Sequence, residues 1–343
     1  MPSTSGTAHR RGAYLGCCCA TLLLSGCPQL LSDQFLLGRD LPPLDAGSPA
    51  DAGRRVLEAA RHSRDAATDA AGDPGDAGAC RFGPFHDIVQ VDGLGSDDRF
   101  APMLSADGTW LYYSVKKSST LEDLFRAKRS GTGITFTGAE ALATVNTSSL
   151  EGSPFLSADD RTLLFFSDRA GGVGNRDLWM ATRASANEDF VAPLPIAGVN
   201  STAQDLLPRL SYDGLSLLFA SARAGGSGNT DIWAAERSTS TGPFGAPYPR
   251  ADLDTSAREE GFSLNGDQLT IVLSSNRGVE SMDLWQAQRT DPHADFGPFV
   301  PLVELNGSAD ELDPGLSLNG REIFFTTSRD GDYRIYHAVR DCQ

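Results

Sequence analysis

The chain has 343 residues, with 45 Asp and Glu against 29 Lys and Arg, a formal net charge of −16 and a pI near 4.7. Such a charge repels nucleic acid and anionic membrane surfaces, so neither is expected as a partner of the folded body.

The N-terminus reads as an export signal. His9, Arg10 and Arg11 form a basic start, and "GAYLGCCCATLLLS" is an apolar run too short for an ordinary spanning helix. "LSGC" at 24–27 matches a bacterial lipoprotein box. On that reading residues 1–26 are removed and Cys27 carries a lipid; the alternative is an ordinary signal peptide cut nearby. Cys17, Cys18 and Cys19 fall in the discarded segment, and zinc sites use spaced ligands instead. Pro28 follows the cysteine and no Asp stands there. By resemblance to enteric lipoprotein sorting, this implies the outer membrane, on either its periplasmic or its surface face, with membrane contact through the lipid only.

Residues 27–79 read as the lipidated cysteine and a linker. "DAG" recurs at 45, 51 and 76, and "DAATDAAGDPGDAG" has too few large apolar residues to fold. Residues 54–71 are able to form a transient helix. A flexible chain of this length reaches on the order of 40 Å root-mean-square.

From residue 80 the chain repeats itself. Units led by Leu104, Leu156, Leu210, Leu264 and Leu316 recur at steps of 52, 54, 54 and 52 residues. Each carries a strand through "P-x-L-S", one through "L-x-F-x-S" and one through "D-L-W-x-A-x-R", or close variants. An upstream strand begins at Phe82, Phe136, Phe190, Phe244 or Phe296. Four of these phenylalanines stand seven residues after an arginine: Arg129, Arg183, Arg237 and Arg289. Four short strands per repeat of about 50 residues predict an all-β propeller blade. The glycine-rich "SDRAGGVGNRDLW" at 167–179 lies between two strands, and a phosphate loop needs a following helix. It reads as a hairpin loop.

"P-x-L-S-x-D-G", "F-x-S-x-R-x-G-G" and "D-L-W" resemble the TolB-like, WD-like β-propeller repeat family. The resemblance covers residues 80–342 and implies a single five-bladed propeller. Its members include partner-binding modules, so it implies a fold more than a function.

The last unit ends at Arg340 with three strands, and the strand from Phe82 has no blade before it. The N-terminal strand is therefore expected at the outer edge of the last blade, closing the ring. Cys80 and Cys342 bracket the propeller. The same offsets in an intact blade fall at Ser185 and Glu188, across a tight bend, so a disulfide between the two cysteines is expected. Free thiols are the alternative.

No HExxH or GxSxG motif occurs, and the five histidines at 9, 62, 86, 293 and 337 show no metal spacing. No cofactor and no metal are expected, and the repeat leaves no stretch for a separate catalytic domain. Glu151, Asp205, Glu259 and Glu311 each precede a leading leucine by five residues; Arg169, Arg223, Arg277 and Arg329 follow it by thirteen. A repeated ion pair fixing the loops is one reading, and ligand contact at a funnel face is the other. The departures from symmetry mark a candidate site: Asp98, Arg99, Lys117, Glu260, Asp313 and Arg334. The aromatics Phe125, Trp179, Trp233, Trp285 and Tyr336 are expected in the core between blades. The functional expectation is a monomeric, non-enzymatic binding or scaffolding lipoprotein of the bacterial envelope, using its funnel face for a protein or glycan. The alternative is a propeller glycoside hydrolase with funnel carboxylates, disfavoured because the acids stand beside arginines that hold them ionised.

Overall fold

The computed structural model of the protein describes residues 81–343 other than 229 and 279. Cys27, Cys80 and the expected signal peptide and linker lie outside the described residues. Among the described residues twenty strands form five four-stranded antiparallel sheets, the blades of one propeller. In chain order β1 is His86–Gln90. Blade 1 holds β2 (Arg99–Leu104), β3 (Trp110–Lys116), β4 (Glu122–Arg129) and β5 (Phe136–Ala141). Blade 2 holds β6 (Glu151–Leu156), β7 (Thr162–Ser167), β8 (Asp177–Thr182) and β9 (Leu194–Pro195). Blade 3 holds β10 (Asp205–Leu210), β11 (Ser216–Ser221), β12 (Asp231–Glu236) and β13 (Tyr248–Pro249). Blade 4 holds β14 (Glu259–Leu264), β15 (Thr270–Ser275), β16 (Asp283–Gln288) and β17 (Val300–Pro301). Blade 5 holds β18 (Glu311–Leu316), β19 (Glu322–Thr327) and β20 (Arg334–Val339), and its fourth strand is β1. His86 pairs with Val339 and Gln90 with Tyr336, so the N-terminal strand closes the ring as its chain order requires.

Five hydrophobic clusters fill the five seams between consecutive blades. Tyr112 and Trp179 meet between blades 1 and 2, and Phe219 and Leu164 between blades 2 and 3. Phe262 and Leu218 meet between blades 3 and 4, Leu284 and Phe325 between blades 4 and 5, and Tyr113 and Phe324 between blades 5 and 1. Trp179, Trp233 and Tyr336 are buried, while Phe125 and Trp285 are partly so. A blade cannot bury its apolar faces alone, so neighbouring blades stabilise one another through these seams.

The seven-residue Arg–Phe spacing has a direct cause. After their third strands blades 2, 3 and 4 turn sharply, and the arginine side chain spans the turn. Arg183, Arg237 and Arg289 stack on Phe190, Phe244 and Phe296 at 4.4, 4.5 and 4.4 Å. Their Nε groups donate to Asp160, Gly214 and Gln268 carbonyls at 2.6, 2.7 and 2.8 Å. Arg340 does the same with Gly320 and lies 4.0 Å from the Phe82 ring. The fifth clasp thus joins the two ends of the propeller.

Each innermost strand carries a bulge at its third residue. Ala101, Ser153, Leu207, Gly261 and Asp313 all have φ between 50° and 55°, and each strand's register breaks there. Proline follows in four of the five, at Pro102, Pro154, Pro208 and Pro314. A bulge is where a ladder tolerates a residue without an N–H. Only Gly261 adopts this conformation freely; a Cβ there would lie 2.7 Å from the Asp313 Cα. Blades 4 and 5 therefore approach closely at the throat of the ring.

Candidate functional site

The first strand of each blade runs from a loop face, which also bears the loops between second and third strands, to a turn face. On the loop face the repeated acids are consumed by architecture. Glu151, Asp205, Glu259 and Glu311 are all buried. They pair with Arg169, Arg223, Arg277 and Arg329 at 3.0, 2.6, 3.1 and 3.0 Å. Each also accepts a hydroxyl from its own second strand, from Ser167, Ser221, Ser275 or Thr327. The arginines then stack on core aromatics and donate to the Val145, Val199, Leu253 and Leu305 carbonyls. These four acids hold blade loops together and present no free carboxylate to solvent.

The glycine-rich loops do cradle an anion, but it is the chain's own. Val173 and Gly174 amides donate to Asp177 at 3.1 Å, and Ser227 and Gly228 amides to Asp231 at 2.7 Å. A Cβ on Gly172 or Gly226 would fall 2.0 or 1.9 Å from those carboxylates, which is why glycine stands there.

The asymmetric residues meet in part. Arg334 lies 3.8 Å from Asp98 and donates to the Asp97 carbonyl, and the Arg99 guanidinium donates to that same carbonyl. Asp98, Arg99 and Arg334 thus gather at the seam of blades 5 and 1, with Arg99 buried. Lys117 stands apart, 4.8 Å over the Phe125 ring, where the other blades place their arginine. Glu260 pairs with the exposed Arg258.

In the throat, Asp313 accepts the Ala101 amide at 3.3 Å. Burial, with the Glu260 charge adding, pushes its carboxyl up to about 6, against the opposing pull of Arg209. Burial also pushes Glu122 up to about 7 and raises Glu260. No signal in the sequence separated Glu122 from an exposed strand residue, because its burial depends on β6 of the next blade. A Cβ on Gly152 of that strand would lie 3.0 Å from its Oε1. Among the described residues no group of three or more His, Cys, Asp or Glu side chains is placed to hold a metal.

A cavity of about 690 Å³ opens on the turn face. Its inner end is a well formed where all five innermost strands finish, at Met103, Leu156, Leu210, Leu264 and Leu316. Arg209 of β10 also lines it and is only 3% exposed. The cavity continues outward along the seam of blades 3 and 4, where Tyr212 and Tyr248 are exposed. Glu122, Glu260 and Asp313 do not line it. The sequence directed attention to the loop face; the cavity lies on the other one, formed by strand ends whose convergence no single repeat reveals.

No family model matches the chain, and no curated protein matches it. Solved structures do. An endo-arabinase from Bacteroides thetaiotaomicron shares 16% identity with a TM-score of 0.52, the match covering 74% of this chain and 98% of that one. A TolB from Agrobacterium tumefaciens shares 14% with a TM-score of 0.45, over 71% of this chain and 79% of that one. TolB from Acinetobacter baumannii shares 15% at 0.45, over 71% of this chain and 55% of that one, so the chain spans about half of that protein's length. At 16% identity the likeness to the endo-arabinase is one of fold alone.

Proposed function

We propose that the chain is a non-enzymatic binding or scaffolding lipoprotein of the bacterial cell envelope, anchored at Cys27, and that it takes its protein or glycan partner at the turn-face cavity. The observation that carries this reading is the position of that cavity. None of the raised carboxyls Asp313, Glu122 and Glu260 lines it, and exposed tyrosines flank it, the residue type that supplies amphipathic contact area to binding sites. The repeated loop-face acids are already paired with arginines.

The test is capture of envelope proteins and glycans by the purified full-length protein. Tyr212→Ala with Tyr248→Ala is expected to abolish capture, and charge reversal at Arg334 to leave it intact. Capture that needs Arg334 and ignores the tyrosines returns the site to the loop face. A glycoside hydrolase remains the second reading because Asp313, Glu122 and Glu260 all have raised carboxyls, as a general acid requires. Turnover of a glycan that disappears in Asp313→Asn would establish it in place of the first.

A further inference from the structure

The strand ends at the inner end of the cavity supply the apolar residues Met103, Leu156, Leu210, Leu264 and Leu316, and beside them the buried Arg209. Arg209 crosses from β10 toward the neighbouring blade. Its Nε donates to the Phe262 carbonyl at 2.8 Å and its Nη1 to the Pro208 carbonyl at 2.9 Å. The guanidinium carbon lies 5.6 Å from the Phe155 ring and 5.9 Å from the Phe262 ring. No hydrogen bond uses Nη2, and among the described residues no carboxylate lies within 4.0 Å of the guanidinium. Asp313 acts on it electrostatically from farther away, and Asp313 is itself half-protonated near pH 6.

This arrangement differs from that of the four arginines that serve the loop face. Arg169, Arg223, Arg277 and Arg329 each own a buried acid. Burial lowers Arg209 to about 10, so it still carries its charge at neutral pH. Carbonyl oxygens and aromatic faces ease the burial of that charge but do not neutralise it. The acids Asp213, Glu236, Asp252 and Asp295 line the same cavity, but among the described residues none is paired with Arg209, and Asp252 is held by Arg250. A buried cation facing an open well is satisfied by an anion from outside.

We propose that the turn-face well binds a small organic carboxylate, with Arg209 as its anchor. The planar fork of a guanidinium matches a carboxylate in two-point geometry. The ring of Met103, Leu156, Leu210, Leu264 and Leu316 receives an apolar or ring-shaped body, and the cavity volume is that of a small-molecule site. This proposal rests on the turn-face reading above and names the chemistry recognised there.

The experiment is calorimetric titration of the purified full-length protein with two matched pairs: galacturonate against galactose, and N-acetylphenylalanine against its amide. The acid of at least one pair is expected to bind, and its neutral partner to bind at least about tenfold more weakly, the effect of losing a hydrogen bond to a charged group. The pair that responds tells a sugar acid from an amino-acid-derived one. Arg209→Gln is expected to remove the preference and Arg209→Lys to weaken it. The acid-against-neutral comparison on the unaltered protein stands by itself if the variants do not fold. Equal binding of acid and neutral forms, no binding of either acid, or binding of inorganic phosphate alone overturns the proposal. If the acids fail while capture still depends on Tyr212 and Tyr248, the carboxylate site falls and the binding reading survives. If capture fails as well, both fall.

Discussion

Asp254 offers a test of the blade architecture at one atom. In blades 1, 2 and 4 an asparagine follows the outer strand: Asn146, Asn200 and Asn306. Each accepts the amide of Leu124, Leu178 or Leu284 at its Oδ1 and returns its Nδ2 to the carbonyl of that residue at 2.9, 3.0 and 3.1 Å. Blade 3 has Asp254 instead. It accepts the Ile232 amide at 2.6 Å but, when ionised, has no hydrogen to return. Burial raises its carboxyl from 3.8 to about 7, the Ile232 amide opposes this, and the charges of Asp231, Glu259 and Asp252 add to it. A folded-state value above the unfolded one means that the native protein binds the proton more tightly. The contribution of this group to stability is therefore greatest at acid pH and falls as pH rises between about 4 and 7. The span corresponds to about 4 kcal/mol as a ceiling. Asp254 is only half-buried, so solvent screening reduces this to about 1–2 kcal/mol. Asp254→Asn restores the two-way bond and is expected to stabilise the protein by that amount at pH 8, a rise in melting temperature of about 2–6 °C for a domain of this size. The gain should grow between pH 4 and 7 and level off above. Melting curves of both proteins across pH 4–9 measure it. A gain independent of pH, or a loss at pH 8, refutes the assignment of the cost to Asp254 ionisation.

Deleting residues 80–91 removes β1, exposes the edge of β20 and is expected to give an aggregating protein by light scattering, whereas a soluble, cooperatively melting truncation would contradict the closure. Intact mass with thiol labelling before and after reduction is expected to show Cys80 bonded to Cys342, and two labelled thiols in the exported protein would exclude it. Cys27→Ser is expected to move the protein out of the membrane fraction; retention there would contradict the lipid anchor. Glu259→Gln leaves Arg277 without its buried counter-charge and should cost about 3 kcal/mol in chemical denaturation without affecting ligand capture. Loss of capture by a folded Glu259→Gln protein would give that acid a role beyond architecture.

Much of the fold is legible in the sequence because each blade repeats its constraints. The Arg183–Phe190 spacing and its relatives mark the turn clasps, and the three-stranded last unit with its unmatched Phe82 predicts closure. The repeated acids are equally visible, but their periodicity marks position and not exposure; only packing shows that Glu151 and its counterparts are sealed against their arginines. The bulges at Ala101, Ser153 and Leu207 escape detection because ordinary residues occupy a conformation that favours glycine. Arg209 escapes for a different reason. Within "LLPRL" it looks like the solvent-facing member of an alternating strand, and its burial follows from the rings of Phe155 and Phe262, which come from other blades.

The clasp between Arg340 and Phe82 also sets an order of events in time. The first strand of the propeller to be synthesised has no partner until the last one arrives. Blades 1 to 4 complete themselves from neighbouring sequence, but β1 must keep its edge unpaired while nearly the whole domain is made. Such a long-range pairing is the slow part of assembly and the one most open to capture by another chain. The strand meets that interval with only five residues, "HDIVQ", of which Ile88 alone packs against the core while Val89 is left partly exposed. A short, largely polar strand is poor at pairing with strangers, so the last seam to close is also the one least apt to close wrongly.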